Sequence, residues 1–278
     1  MGAVLNATQR RHLDGAVQRA RIAAEQAAAD ALVALAVSEP SRPAYLDEAS
    51  NGLRLALREK ARQLGDDTSR SGADLTDLMR EVAYEQWHRL LFARFLEVNG
   101  LLRHPEFRDT ALTLEDCADL ADELHEPDGW SVAARLAAEI LPGVFRLDDP
   151  AVRVRFATEH RLELEKILLS LPGEVFETED ALGWVYQFWQ TAEKKRVNES
   201  GVKIGGADLS PVTQLFTENY MVRFLWENSL GAWWAARHPD SRLVDGWEYL
   251  RRLDDGMPAG GTFDGWPASA AEVRVMVP

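Results

Sequence analysis

A chain of 278 residues is long enough for one large domain or two smaller ones, each with a core of its own. With 46% hydrophobic and 27% charged residues it has the composition of a folded soluble protein, and its longest apolar window, "AAADALVALAV", is too short and too alanine-rich to cross a bilayer. The net charge of −14 is unevenly spread, and one cysteine, Cys117, excludes an intramolecular disulfide and any cysteine-built zinc site.

The start, "MGAVLNATQRRHLDG", has no cationic segment followed by an apolar one, so no secretory signal is visible. Asn6 stands where a myristoylation signal has Ser or Thr. The expected compartment is a reducing cytoplasm, with no membrane partner. From about Ala7 to Ser38 the chain is rich in Ala, Gln, Arg and Leu, which predicts a helix that "SEPSRPAY" stops. A second helix is expected over 46–64, with Leu53, Leu57 and Leu64 on its buried face. The turn residues of "GDDTSRSGADLTD" then offer Asp74 or Thr76 as a cap. Residues 78–102 read as the strongest helix, because Val82, Trp87, Leu90, Leu91, Phe95 and Val98 recur at three- and four-residue steps. Asn99-Gly100 is a suitable terminator, since either residue tolerates a left-handed turn.

Further helices are expected at 113–125, 131–141, 150–170 and 179–198, bounded by "EPDG", "LPG" and "LPGEVF". Residues 106–149 hold twelve Asp and Glu against Arg108, Arg135 and Arg146, a net charge of −9 that reads as a solvated acidic face and repels nucleic acid. In "TQLFTENYMVRFLWENSLGAWW", residues 213–234, the Thr217 hydroxyl is placed to cap a helix starting at Glu218, and Met221, Phe224, Leu225 and Trp233 read as core. The chain closes with a Gly/Pro-rich connection, 256–269, and "EVRVMV", which alternates as a strand does. A lone strand leaves its backbone groups unpaired, so the chain reads as cut before the rest of a sheet.

No common nucleotide loop is present, the six histidines have no metal-ligand spacing, and Cys117 follows Glu115-Asp116, an anionic setting that blunts a thiol. His88 reads as a partner for a nearby polar group. The densest basic stretch is "EKKRVNESGVK", with Lys194, Lys195, Arg196 and Lys203; it is either a solvated helix end or a phosphate contact.

Three segments together carry a resemblance. "VAYEQWHRLLFARFLEVNGLL", "ALGWVYQFWQTAEKKRVNES" and "ADLSPVTQLFTENYMVRFLWENSLGAWW" resemble, in this order, the N-terminal region of PglX-like adenine-specific DNA methyltransferases of BREX and DISARM phage-defence systems. The resemblance implies a mainly α chain. Residues 1–178 would be a helical N-terminal domain and 179–255 a helical connector. Residues 256–278 would be the loop and first strand of a Rossmann-like catalytic domain, cut before its Gly-rich loop. It implies S-adenosylmethionine as cofactor, contacted by the step Leu215, Phe216 and Thr217, with Glu218 where the family has Pro. For Phe216 and Thr217, packing or capping remains the other reading, an N-cap being worth on the order of 1 kcal/mol. The implied partners are double-stranded DNA and other defence proteins, and the chain alone is expected to be inactive. Two readings without catalysis stand beside it: an acidic helical interaction protein or DNA mimic filling a basic cleft, and a regulatory subunit paired with a separate catalytic chain.

Overall fold

The computed structural model describes residues 4–199, 201, 213, 216–261 and 263–274. Among them the protein is mainly helical: two isolated antiparallel bridges, Arg103 with Ala111 and Arg252 with Pro258, take the place of strands. The chain divides into two compact units, 1–215 and 216–278.

In the first unit, α1 (Ala7–Ala34) opens on a capping box, Asn6 Oδ1 accepting from Gln9 N and Gln9 Oε1 from Asn6 N, both at 3.0 Å. Its buried stripe is largely alanine (Ala16, Ala20, Ala24, Ala28), small enough for α3 (Thr76–Val98) to lie close against it. On α3 the expected face is buried at Val82, Trp87, Leu90 and Leu91 and partly buried at Phe95 and Val98. Asn99 and Gly100 end α3 as expected: Asn99 Nδ2 donates back to Phe95 O at 2.8 Å, and Gly100 has φ 62°. The start differs from expectation. Leu75 occupies the cap position without a side-chain bond, and Thr76 is already helical.

The second helix, α2 (Glu48–Leu64), corrects the expected face. Leu57 is buried, but Leu64 is exposed and Leu53 half-buried, while Arg54 and Arg58 face inward. Their guanidiniums collect the carbonyls of the turn after α1, a demand that hydrophobic spacing does not express. The short α4 (Leu114–Asp119) is capped by Thr113, whose hydroxyl accepts from Asp116 N at 3.1 Å. Against it lies α5 (Gly129–Ile140); a Cβ on Gly129 would stand 2.7 Å from Ala118 N, so only glycine fits there.

The helix expected over 150–170 begins only at α6 (Thr158–Leu169). Ahead of it the backbone is held irregular by Gln86, whose Nε2 donates to the carbonyls of Ala151 (3.1 Å), Val152 (2.9 Å) and Val154 (2.9 Å). After α7 (Gly173–Phe176) comes α8 (Ala181–Glu199), bound to α1 where Gln18 Nε2 meets Phe188 O at 2.6 Å and Arg21 Nη1 meets Trp189 O at 2.7 Å.

The second unit contains α9 (Asn219–Trp226), a π-helical turn at Glu227–Gly231, and α10 (Ala232–Arg237). Ala232, Trp233 and Phe263 form its buried apolar cluster among the described residues. Residues 270–272 form a 3₁₀ turn; the strand expected over "EVRVMV" runs into residues 275–278, outside the described residues.

Candidate functional site

The Phe216-Thr217 step leads into α9. The helix begins at Asn219, one residue later than expected, and Glu218 holds the cap position without a side-chain cap bond. Thr217 is therefore not the cap; it is exposed one position earlier, with Phe216 half-buried before it. Leu215 lies outside the described residues. Beyond the step, the expected core is corrected. Trp233 is buried, whereas Met221 and Phe224 are each 41% exposed and Leu225 64%. Helical spacing shows that a face is apolar and does not show what covers it.

What holds this element is polar. Glu227 is 1% exposed, pairs with Arg223 at 3.1 Å and accepts the backbone N–H of Tyr249 at 2.6 Å. Asn228 donates to Phe224 O and Tyr249 O and accepts from Arg251 N. The π turn brings Gly231 so near Trp247 that a Cβ would sit 3.0 Å from its ring, a local departure from α geometry of the kind that accompanies functional segments. The signal in "WENSLG" is a Glu-Asn pair inside an otherwise apolar helix, and it points to buried backbone partners.

On α8, Lys194 is half-buried, while Lys195 and Arg196 are exposed. Both exposed cations have partners on their own helix: Lys195 Nζ lies 3.9 Å from Glu199, and Arg196 Nε donates to Glu193 at 2.7 Å. Lys203 lies outside the described residues. Several carboxylates of the acidic window are built into the fold: Asp116 in the cap of α4, Asp128 capping α5, and Asp149 2.7 Å from Lys60, which also reaches Glu81 at 3.0 Å.

Titratable groups gather on the neighbouring face of α3. Burial, with Glu81 and Asp149 beside it, pushes the Glu85 carboxyl up to about 7. His88 differs from expectation: its ring packs 5.1 Å from the rings of both Tyr84 and Phe145, and burial lowers it to about 4. Because the folded protein disfavours the imidazolium, the stability from neutral His88 is complete above pH 6.5 and is lost as pH falls towards 4. Glu85 acts with the opposite sign, losing stability as pH rises from 4.5 to about 7. Urea melts of His88→Phe should show about 2 kcal/mol less destabilisation than the parent between pH 7 and pH 4. An identical acid loss in both proteins would contradict this. Cys117 is buried as expected, and burial and Asp116 push its thiol up to about 12, so it is inert at neutral pH. Among the described residues no group of His, Cys, Asp or Glu is arranged to hold a metal, and no helix is long and apolar enough to cross a membrane.

The sequence of this chain is similar to part of two adenine-specific methyltransferases. The chain is 30% identical over 202 residues to the adenine-specific methyltransferase BrxX of Escherichia coli O9:H4 (strain HS), a match covering 62% of this chain and 17% of that protein. It is 27% identical over 198 residues to the adenine-specific methyltransferase PglX of Lacticaseibacillus casei (strain Zhang), covering 58% and 16%. It thus spans only about a sixth of the length of the curated relatives it matches. No family model matches the chain, and no solved structure matches it.

Proposed function

We propose that these residues form a helical part of a phage-defence DNA methyltransferase that transfers a methyl group from S-adenosylmethionine to N6 of an adenine. Such a base must leave the duplex stack before it reacts, so the enzyme needs a rigid body that holds DNA and cofactor in register. The observation that carries the reading is the 202-residue similarity to BrxX. In this reading residues 1–178 are scaffold, and Leu215, Phe216 and Thr217 form one wall of the cofactor site. Phe216 would pack on the methionine chain, and the Thr217 hydroxyl would hydrogen-bond its polar end. Lys194, Lys195, Arg196 and Lys203 meet DNA phosphates, Lys195 and Arg196 by exchanging their helix partners for them.

The test is S-adenosylmethionine affinity, measured by calorimetry on the complete reading frame that contains this chain. Phe216→Ala with Thr217→Val raises Kd at least tenfold, as the loss of one packed ring and one hydrogen bond requires. The melting temperature falls by no more than a few degrees, because Thr217 is exposed and Phe216 only half-buried. An unchanged Kd removes the step from the cofactor site.

A further inference from the structure

The first unit contains a cleft of about 950 Å³, within the size range of small-molecule sites. It lies between α2, α3, the start of α5 and the 147–158 segment. Five arginines line it, Arg89, Arg135, Arg153, Arg155 and Arg161, against Glu126 and Asp128. In a chain of net charge −14 this is a local excess of three positive charges.

Pairing separates the five. Arg161 meets Asp128 at 3.1 Å, and Arg135 meets Glu126 at 3.6 Å and Glu139 at 3.4 Å. Arg89, Arg153 and Arg155 have no carboxylate within 4 Å among the described residues. The Arg89 guanidinium is positioned by its Nη2 bond to Gln86 Oε1 at 2.9 Å, and its Nε is buried with no acceptor. The same Gln86 amide holds the carbonyls of Ala151, Val152 and Val154, so one side chain sets both the half-buried Arg89 and the segment bearing Arg153 and Arg155. Arg153 and Arg155 alternate with buried Val152 and Val154, which keeps both cations outward.

Guanidinium forks suit phosphate. A bare phosphate, however, fills little of this volume, and the remaining wall mixes apolar and aromatic side chains with Ser50, Ser131 and Thr158. Trp130 and Phe156 line it half-buried, and neither ring contacts another ring among the described residues. Both pack against the hydrophobic core and leave part of their surface open to the cleft, and aromatic surface beside arginines without carboxylate partners is the combination that holds a base and its phosphates.

We propose that this cleft binds a nucleoside phosphate, free or at the end of a nucleic-acid strand, with the phosphates on Arg153 and Arg155 and the base against Trp130 and Phe156. The inference does not rest on the methyltransferase reading. S-adenosylmethionine carries a cationic sulfonium and no phosphate, so the arginines disfavour it.

The experiment uses the 278-residue chain at low salt, following Trp fluorescence and heat on titration with ATP, tripolyphosphate, adenosine, a single-stranded dodecanucleotide and hexaglutamate. ATP or the oligonucleotide is expected to bind at least tenfold tighter than tripolyphosphate, adenosine or hexaglutamate. Tighter binding of the oligonucleotide identifies a strand as the source, and ATP binding as tight or tighter identifies free nucleotide. Arg153→Glu with Arg155→Glu, both side chains being exposed, should weaken that binding at least tenfold with unchanged helical circular dichroism. The proposal fails if neither nucleotide probe binds, if tripolyphosphate or hexaglutamate binds as tightly, or if the double variant binds as the parent does.

Discussion

Replacing Arg54 by Ala is expected to lower the unfolding free energy by about 3 kcal/mol, the cost of removing a buried guanidinium that serves three backbone carbonyls. Arg54 is 1% exposed, and its guanidinium donates to Ala36 O at 3.0 Å, Ser41 O at 3.1 Å and Glu39 O. Arg58, one turn on, donates to Val37 O at 2.5 Å, Glu39 O at 2.7 Å and Thr68 O at 2.6 Å. The turn after α1 contains Ala36 at φ 49°, an unfavourable conformation for a residue with a Cβ, and its carbonyls face inward with the two guanidiniums as donors. The cations also sit where the α1 dipole is negative. Truncation at Arg54 removes three bonds, leaves buried acceptors short of donors and opens a void the size of the side chain. Arg54→Met fills part of that void without donating, so its cost should fall below that of Ala. Arg70→Ala, on a side chain 78% exposed, should stay within about 0.5 kcal/mol of the parent. Urea denaturation of the three variants checks this, and an Arg54→Ala loss under about 1 kcal/mol would show that the network contributes little.

These arginines also mark where the sequence was legible and where it was not. On α3 the apolar period alone identified the buried face, because Trp87, Leu90 and Leu91 have only one way to leave water together. On α2 the same logic chose Leu53, Leu57 and Leu64, of which the fold buried Leu57 alone, together with Arg54 and Arg58. Their burial is driven by carbonyls ten to twenty-one residues away, which no local pattern encodes. Gln86 is a similar case, ordering a segment 65–68 residues distant and displacing the start of α6 from the expected 150 to Thr158. On α9 the periodicity was real, but Met221, Phe224 and Leu225 remain open because periodicity reports a face and not what covers it.

For the candidate site, the resemblance singled out Phe216 and Thr217, and Thr217 stands outside the helix it was expected to cap. The polar frame of Glu227 and Asn228 shows in the sequence only as a Glu-Asn pair in an apolar helix; its partners, backbone groups near 249–251, are not named by any local pattern. The arginine cleft is assembled from separate segments whose charges look dispersed in a one-dimensional reading.

The central claim, that these residues serve adenine methylation, also carries the largest expected effect. It is tested by mapping N6-methyladenine with long-read sequencing in a host without its own adenine methyltransferases, expressing the complete reading frame that contains them. A body that holds DNA and cofactor supplies the positioning on which the chemical step depends, so its removal costs the reaction outright rather than by degrees. The account predicts adenine methylation at a defined sequence motif with the intact frame and background levels when residues 1–278 are deleted. Methylation that persists after the deletion, or none above background with the intact frame, would contradict it.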